Sequence, residues 1–440
     1  MQILDWQKLD EAARAAALAR PAFALQARTL AQAQAIIEAV RAEGDAAIAR
    51  YAREFDGIDL PQAAVPPAEF TAARAALAAA DIAAIERAID NVERFHRAGL
   101  PAELSLEVQP GVRCERVTRP IAAVGLYVPA GSAPLPSTVV MLAVPARIAG
   151  CAERVLCTAP QRSGSANPAV LVAAELCGIT RVFKIGGAQA IAAMAYGTRS
   201  VPKVAKIFGP GNAWVTAAKQ LVAADPGGAA LDLPAGPSEV LVIADDSARA
   251  EFIAADLLAQ AEHDPQAQAI LVSTSATLAE AVVAALHEQM RGLSRQMILR
   301  QSLAGARIIV VSDLAAAVAI CESYAPEHLL IQTREPRELL PQVHSAGSVF
   351  LGSWSPETTG DYCSGPNHVL PTYGYARTYS GLSVADFTRR MSVQELSVQG
   401  LADLGPIASR LARLEGLDAH AAAVERRLAA LAAAGPPVRP

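Results

Sequence analysis

Basic runs are missing from this chain. With 38 Lys and Arg against 43 Asp and Glu, the net charge is -5 over 440 residues. No cluster of like charge marks a nucleic-acid footprint or an anionic membrane surface. Long apolar runs are missing too, since nothing approaches the roughly eighteen consecutive apolar residues of a membrane span. Asp5, Asp10 and Glu11 stand where a secretory leader would need a basic start and an unbroken apolar core, so a cytoplasmic chain is expected. The six cysteines form no C-x-x-C pair, which disfavours both a disulfide framework and a cysteine zinc knuckle. The dinucleotide fingerprint G-x-G-x-x-G is absent, and so is the helical H-E-x-x-H of zinc hydrolases. What is abundant is apolar content, 52% against 18% charged, in a chain long enough for two or more domains with large cores. A small molecule is the expected partner.

Residues 31–53 carry Ile36, Ile37, Val40, Ala47, Ile48 and Tyr51 at helical spacing, and the Ala-rich first hundred residues predict packed helices. From Ile121 onward, short β-branched runs alternate with helix-length stretches. Strands are expected at 122–128, 154–158, 181–185 and 206–208, then in a second series at 239–244, 269–273, 307–311, 328–332 and 348–351. That alternation argues for parallel, doubly wound sheets in two similar α/β units. No residue-level repeat links the two. From Tyr373 the chain becomes an arm containing Gly, Ser and Tyr, followed by a helix over 417–434, a small C-terminal appendage.

Four segments hold polar residues fit for chemistry, and each also has a plain structural reading. In Gln260-Ala-Glu-His263-Asp-Pro265 a helix should end near the proline, putting Gln260 and His263 on one face of its last turn, within reach of one metal ion. The alternative is a helix-end histidine satisfied by the dipole. Glu327-His328 sets a carboxylate beside an imidazole just before a strand, a pair suited to proton transfer, though most such dipeptides are surface pairs. The polar stretch 358–372 reads as a long loop in which Asp361 offers a hard oxygen ligand and His368 a hydrogen bond, or else as a tight surface turn. In the last helix Asp418 looks like an N-cap and His420 falls in the first turn, where the dipole favours the neutral, metal-binding imidazole; an exposed helix residue is the alternative. Strand-end glycine turns at 184–189, 208–212 and 234–239 could equally be ligand contacts or ordinary turns.

Taken together, these segments resemble the histidinol dehydrogenase family, from Arg41-Ala-Glu-Gly-Asp-Ala-Ala to the last helix. The strongest pieces are Gly125-Leu-Tyr-Val-Pro-Ala-Gly131, Gln260-Ala-Glu-His263, Ala325-Pro-Glu-His-Leu329, Gly365-Pro-Asn-His-Val-Leu-Pro-Thr372 and Glu415-Gly-Leu-Asp-Ala-His420. The resemblance implies an enzyme oxidising L-histidinol to L-histidine in two NAD-dependent steps through an enzyme-held aldehyde. It implies one zinc per subunit on Gln260, His263, Asp361 and His420, with His328 as the acid-base group and Glu327 activating water. Substrate contacts would include Ser238, His368 and Glu415 beside the metal ligands and His328, and NAD would meet Tyr127, Gln189 and Asn212. The implied fold is α/β, two incomplete Rossmann-like domains with parallel sheets plus a small N-terminal helical part and a C-terminal appendage. Its expected parts are an arm over 1–20, a helical part of the first domain over 21–105, the second, NAD-side domain over 120–235, the main zinc and catalytic part of the first domain over 236–376, and an appendage over 377–440. That appendage would complete the active site of the other subunit in an intertwined homodimer. Tyr373-Gly-Tyr375 and the Pro-rich tail 435–440 depart peripherally from the family pattern. The rival readings are a relative acting on another primary alcohol, a zinc hydrolase using Glu327 on a metal-bound water, and a non-catalytic protein with a structural zinc.

Overall fold

A computed structural model describes residues 2–21, 27–130, 133–234 and 236–434. Gly131, Ala235 and the tail 435–440 lie outside the described residues. The chain divides into two compact units, one made of 1–99 with 121–387 and the other of 100–120 with 388–440.

The larger unit is built on two parallel sheets. Strands Ala123–Val128, Glu153–Thr158, Arg181–Lys184, Lys206–Phe208 and Ala230–Leu231 form one of five strands. Numbered along the chain, they lie in the spatial order 3-2-1-4-5. The other has Glu239–Ala244, Gln268–Ser273, Arg307–Val310, His328–Gln332 and Ser348–Leu351 in the same order, with Ile3–Asp5 added beside Arg307–Val310. Every neighbouring pair in both sheets is parallel. This is the doubly wound arrangement that alternating strands and helices predict. Buried on both faces, the central strands read as unbroken apolar runs, as in Glu239–Ala244 and His328–Gln332, where every residue is buried.

Alternate residues of Ala123–Val128 enter separate cores. Val124, Leu126 and Val128 pack with Ala73, Ile89 and Val92 of helices Pro67–Ala76 and Ala79–Ala98. Tyr127 packs on the opposite face with Ile36, Ile37 and Val40 of helix Ala27–Glu43. Each such buried aliphatic contributes about 1.5–3 kcal/mol. The N-terminal helices therefore clothe the five-stranded sheet, whereas 21–105 was expected to belong with 236–376. Periodicity locates the apolar face of a helix but not the sheet that receives it. The 1–20 segment likewise is more than an arm, since its strand extends the six-stranded sheet.

The smaller unit holds a three-stranded antiparallel sheet, Thr388–Leu396 beside Val112–Pro120 beside Leu104–Gln109, and the helices Val398–Leu414 and Asp418–Ala434. The first strand and first helix of that 388–440 stretch fall where only an arm was expected. Thr388–Leu396 is exposed along almost its whole length, so no apolar alternation marks it, and Val398–Leu414 contains Gly400, Gly405 and Pro406, which disguise a helix.

Candidate active site

The Glu327-His328 pair stands at the amino edge of the six-stranded sheet. Helix Leu314–Tyr324 ends on Ala325 in the left-handed region at φ 53°, Pro326 prevents any continuation, and His328 opens the next strand. Gly347 lies against this turn, donating its N–H to the Pro326 carbonyl at 3.0 Å. A Cβ there would come within 2.6 Å of the Glu327 carbonyl oxygen.

Glu239, first residue of the neighbouring strand, holds both members of the pair through its backbone. Its N–H donates to Glu327 Oε2 at 2.8 Å, and its carbonyl oxygen lies 3.1 Å from His328 Nδ1. The side chain of Glu239 is meanwhile held by Arg20, whose Nη2 donates to Oε2 at 2.8 Å. With Nδ1 donating to that carbonyl, Nε2 is the free nitrogen of His328, 3.3 Å from Asp361 Oδ1 but outside hydrogen-bond alignment. His328 lines a cavity of about 210 Å³ with Phe350, Asp361, Asn367, His368 and Leu370, Nε2 itself being buried.

The helix Ala250–Ala261 runs back from its strand, so its last turn returns to the same amino edge. Gln260 is in that turn and fully buried, while His263 lies two residues beyond the helix end, so the expected shared helical face is replaced by a turn in which His263 N–H donates to the Gln260 carbonyl at 3.2 Å. The stretch expected as a loop from Thr358 starts instead with the short helix Glu357–Tyr362, which carries Asp361. Ligand atoms of His263, Glu357 and Asp361 lie within 4.8 Å of one another. His368 sets Nδ1 2.8 Å from the Asp361 carbonyl and Nε2 3.3 Å from Thr138 Oγ1, on a helix of the five-stranded half, so this histidine of the cavity wall also touches the other half of the unit. Ser238 precedes Glu239 at the same edge.

Burial without compensating charge dominates the electrostatics. It pushes the Glu327 carboxyl up to about 8 and raises Glu357 well above the usual carboxylate range. Burial alone would lower His328, yet Glu357, Glu327 and Asp361 together raise it well above the ordinary imidazole value. Asp361 resists the upward pull of burial because His328, His368 and His263 face it, and it is held low. His263 and His368 are both lowered, burial outweighing Asp361. Neutral imidazoles beside an excess of buried carboxylate, one of whose oxygens, Glu357 Oε2, has no hydrogen-bond partner among the described residues, fit a divalent cation. The carbonyl end of helix Ala250–Ala261 adds negative potential at the same point.

The five-stranded sheet presents the opposite edge. Tyr127 is buried near the carboxyl end of its strand, its hydroxyl accepting from Gly187 N–H at 3.0 Å at the start of helix Gly187–Tyr196. Gln189 is buried in that first turn, and Asn212 caps helix Ala213–Ala224 by accepting from the N–H groups of Trp214 and Val215, both at 3.1 Å. Glu415 and His420 belong to the smaller unit, both exposed, at the corner between its helices; the second of these begins at Asp418 itself, with the Leu417 carbonyl accepting the N–H groups of His420 and Ala421.

The family profile described as histidinol dehydrogenase matches residues 20–428. The chain belongs to the histidinol dehydrogenase family. Histidinol dehydrogenase of Xanthomonas oryzae pv. oryzae is 57% identical over 428 residues, 97% of this chain and 99% of that protein. The enzyme of Vibrio parahaemolyticus is 53% identical, covering 97% of this chain and 98% of its own. Among solved structures, histidinol dehydrogenase from Elizabethkingia anophelis superposes with a TM-score of 0.93 at 42% identity, covering 98% of both chains. Among the described residues no helix is long and apolar enough to cross a membrane.

Within this family member, two site residues escaped sequence reasoning, Glu239 and Glu357. Glu239 opens an apolar strand in Pro-Ser-Glu-Val-Leu-Val, where a charged residue heading a fully buried run is itself a signal. Glu357 stands four residues before Asp361, the spacing of one helical turn.

Proposed function

We propose that this chain oxidises the amino alcohol L-histidinol to L-histidine in two successive NAD-dependent steps, through an aldehyde that stays on the enzyme. Family membership supports the substrate. The observation that carries the chemistry is the buried Glu327-His328 pair, held by one backbone unit, with His328 Nε2 left without a hydrogen-bond partner among the described residues and His328 in the cavity lining.

When bound, NAD would supply the hydride acceptor for each oxidation, and Gln260, His263 and Asp361, with His420 from the other subunit, would hold a zinc ion that supplies a positive centre for orienting the substrate. His328 Nε2 takes the hydroxyl proton as the carbinol hydrogen departs with its electron pair, leaving the aldehyde. An aldehyde has no removable hydride until water adds. Glu327 takes a proton from that water as its oxygen bonds the aldehyde carbon, and His328 returns its proton to the carbonyl oxygen, giving the gem-diol, whose second oxidation releases one hydride and two protons and leaves the carboxylate. Ser238, His368 and Glu415 would complete the substrate contacts. A cytoplasmic location goes with this reading.

The carboxyl edge of the five-stranded sheet, with Tyr127, Gln189 and Asn212 beside two helix starts, suits a dinucleotide, because helix N-termini favour phosphate. Exposure of Glu415 and His420 together with Leu106, Val108, Ile407, Leu411 and Leu414 on the smaller unit supports a homodimer in which this appendage completes the site of the other subunit.

The test is to incubate zinc-loaded protein with NAD and L-histidinol and follow NADH. Two NADH for each histidinol consumed is the expected result. No turnover with zinc present, or clear preference for another primary alcohol, would sink the reading.

A further inference from the structure

An amide side chain can bind a metal only through its oxygen, so a Gln ligand needs something that decides which end faces the ion. Gln260 is wholly buried, and its two ends meet different surroundings. With Nε2 toward Glu357 Oε1 at 3.0 Å and the Glu239 carbonyl at 3.3 Å, both amide hydrogens find acceptors. The reverse orientation would set Oε1 against the same two oxygens and leave it unpaired. His328 Nδ1 also lies 3.3 Å from this nitrogen, but its own hydrogen already goes to the Glu239 carbonyl.

The carbonyl is backbone and fixed by the sheet. Glu357 is the member of this arrangement that the sequence chooses freely, and it is an expensive choice. It is 1% exposed, no Lys or Arg pairs with it among the described residues, and Oε2 has no hydrogen-bond partner there. Among the described residues its charged partner is His328, whose Nδ1 lies 3.9 Å from Oε1, beyond hydrogen-bond reach; a buried carboxylate so weakly paired costs several kcal/mol, so a purely structural position would be better filled by an apolar residue. One helical turn on, the same short helix carries Asp361, so a single element sets both the acceptor for Gln260 and a carboxylate for the cation.

We infer that Glu357 is a positioning residue for the metal, accepting the Gln260 Nε2–H and thereby turning Gln260 Oε1 toward the point shared with His263 and Asp361. This rests on the zinc reading proposed above. Gln at 357 keeps an oxygen where Oε1 stands, whereas Leu keeps volume and removes the acceptor.

The experiment measures zinc affinity by chelator competition, and the visible spectrum of the Co(II)-substituted protein, for wild type, Glu357→Gln and Glu357→Leu. Glu357→Gln is expected to bind zinc within about threefold of wild type with an unchanged Co(II) spectrum, and Glu357→Leu to lose about 10–100-fold with an altered spectrum. Equal affinity of Glu357→Leu and wild type overturns the inference. A loss in Glu357→Gln as large as in Glu357→Leu also overturns it, making the carboxylate itself a ligand, and this isosteric variant keeps the test decisive should Glu357→Leu not fold. Wild type that binds no zinc would fail the underlying reading instead.

Discussion

Glu327 and His328 are adjacent in sequence, and the proposed chemistry gives them different tasks. The Glu327 carboxyl is pushed up to about 8 by burial and anchored through Oε2 by the Glu239 N–H, so a single hydrogen bond fixes its orientation. Glu327→Gln keeps the shape and removes the base. The first oxidation, measured from the alcohol, should fall several-fold at most, whereas oxidation of the aldehyde should fall by about 10²–10⁴, the usual contribution of a positioned base. Equal losses in the two half-reactions would contradict the division of labour. His263 is also separable from the proton chemistry: His263→Asn should strip zinc on dialysis, with metal content as the readout, and a variant retaining wild-type zinc would remove it from the ligand set.

At the scale of elements, helix Ala250–Ala261 carries a second buried acid one turn before Gln260. Burial pushes Asp256 up to about 7, despite its hydrogen bond from Gln332 Nε2 at 2.8 Å. Its pKa is higher folded than unfolded, so the folded state binds the proton more tightly. Stability is then fully present below about pH 4 and declines as pH rises toward 7, by at most roughly 4 kcal/mol. Asp256→Asn removes the charge and offers a hydrogen to Gln332 Oε1, which has no partner among the described residues. Thermal melts should show the variant more stable than wild type at pH 8 and nearly equal at pH 4; a wild type equally stable at both would contradict the assignment.

Elements also show how far sequence reading reaches. Strands such as His328–Gln332 and Glu239–Ala244 were legible to the residue, because a run buried on both faces leaves a largely apolar signature. Thr388–Leu396 was invisible because it buries almost nothing. At the site, His263 stood out beside Gln260 near an expected helix end, and Asp361 and His368 in a stretch read as a long polar loop, although Asp361 sits on a short helix. Glu357 did not, because a buried carboxylate takes its meaning from a neighbour nearly a hundred residues away in sequence, Gln260.

For the whole molecule, the smaller unit holds Glu415 and His420 on its surface, exposed, beside apolar side chains that a solitary chain would leave wet. If two chains share each site, dimers assembled from a His420→Asn chain and a Glu327→Gln chain should place both lesions in one site and none in the other. About half of wild-type activity per dimer is then expected, since one of two sites stays whole. Purified mixed dimers without recovery would show that each chain builds its site alone.

Gln260 and His263, proposed here for the cation, lie at the amino edge of one sheet, reached only after a helix has travelled back along it, while the residues proposed for the dinucleotide lie at the carboxyl edge of the other, one short turn from their strands. The two edges therefore differ in tolerance to changes in length. One residue added inside Ala250–Ala261 would rotate Gln260 by about 100° and carry it some 1.5 Å along the axis, out of phase with Glu357 and His328. The proposed metal recognition is tied to the phase of a helix, and lengthening can be absorbed only outside that helical count.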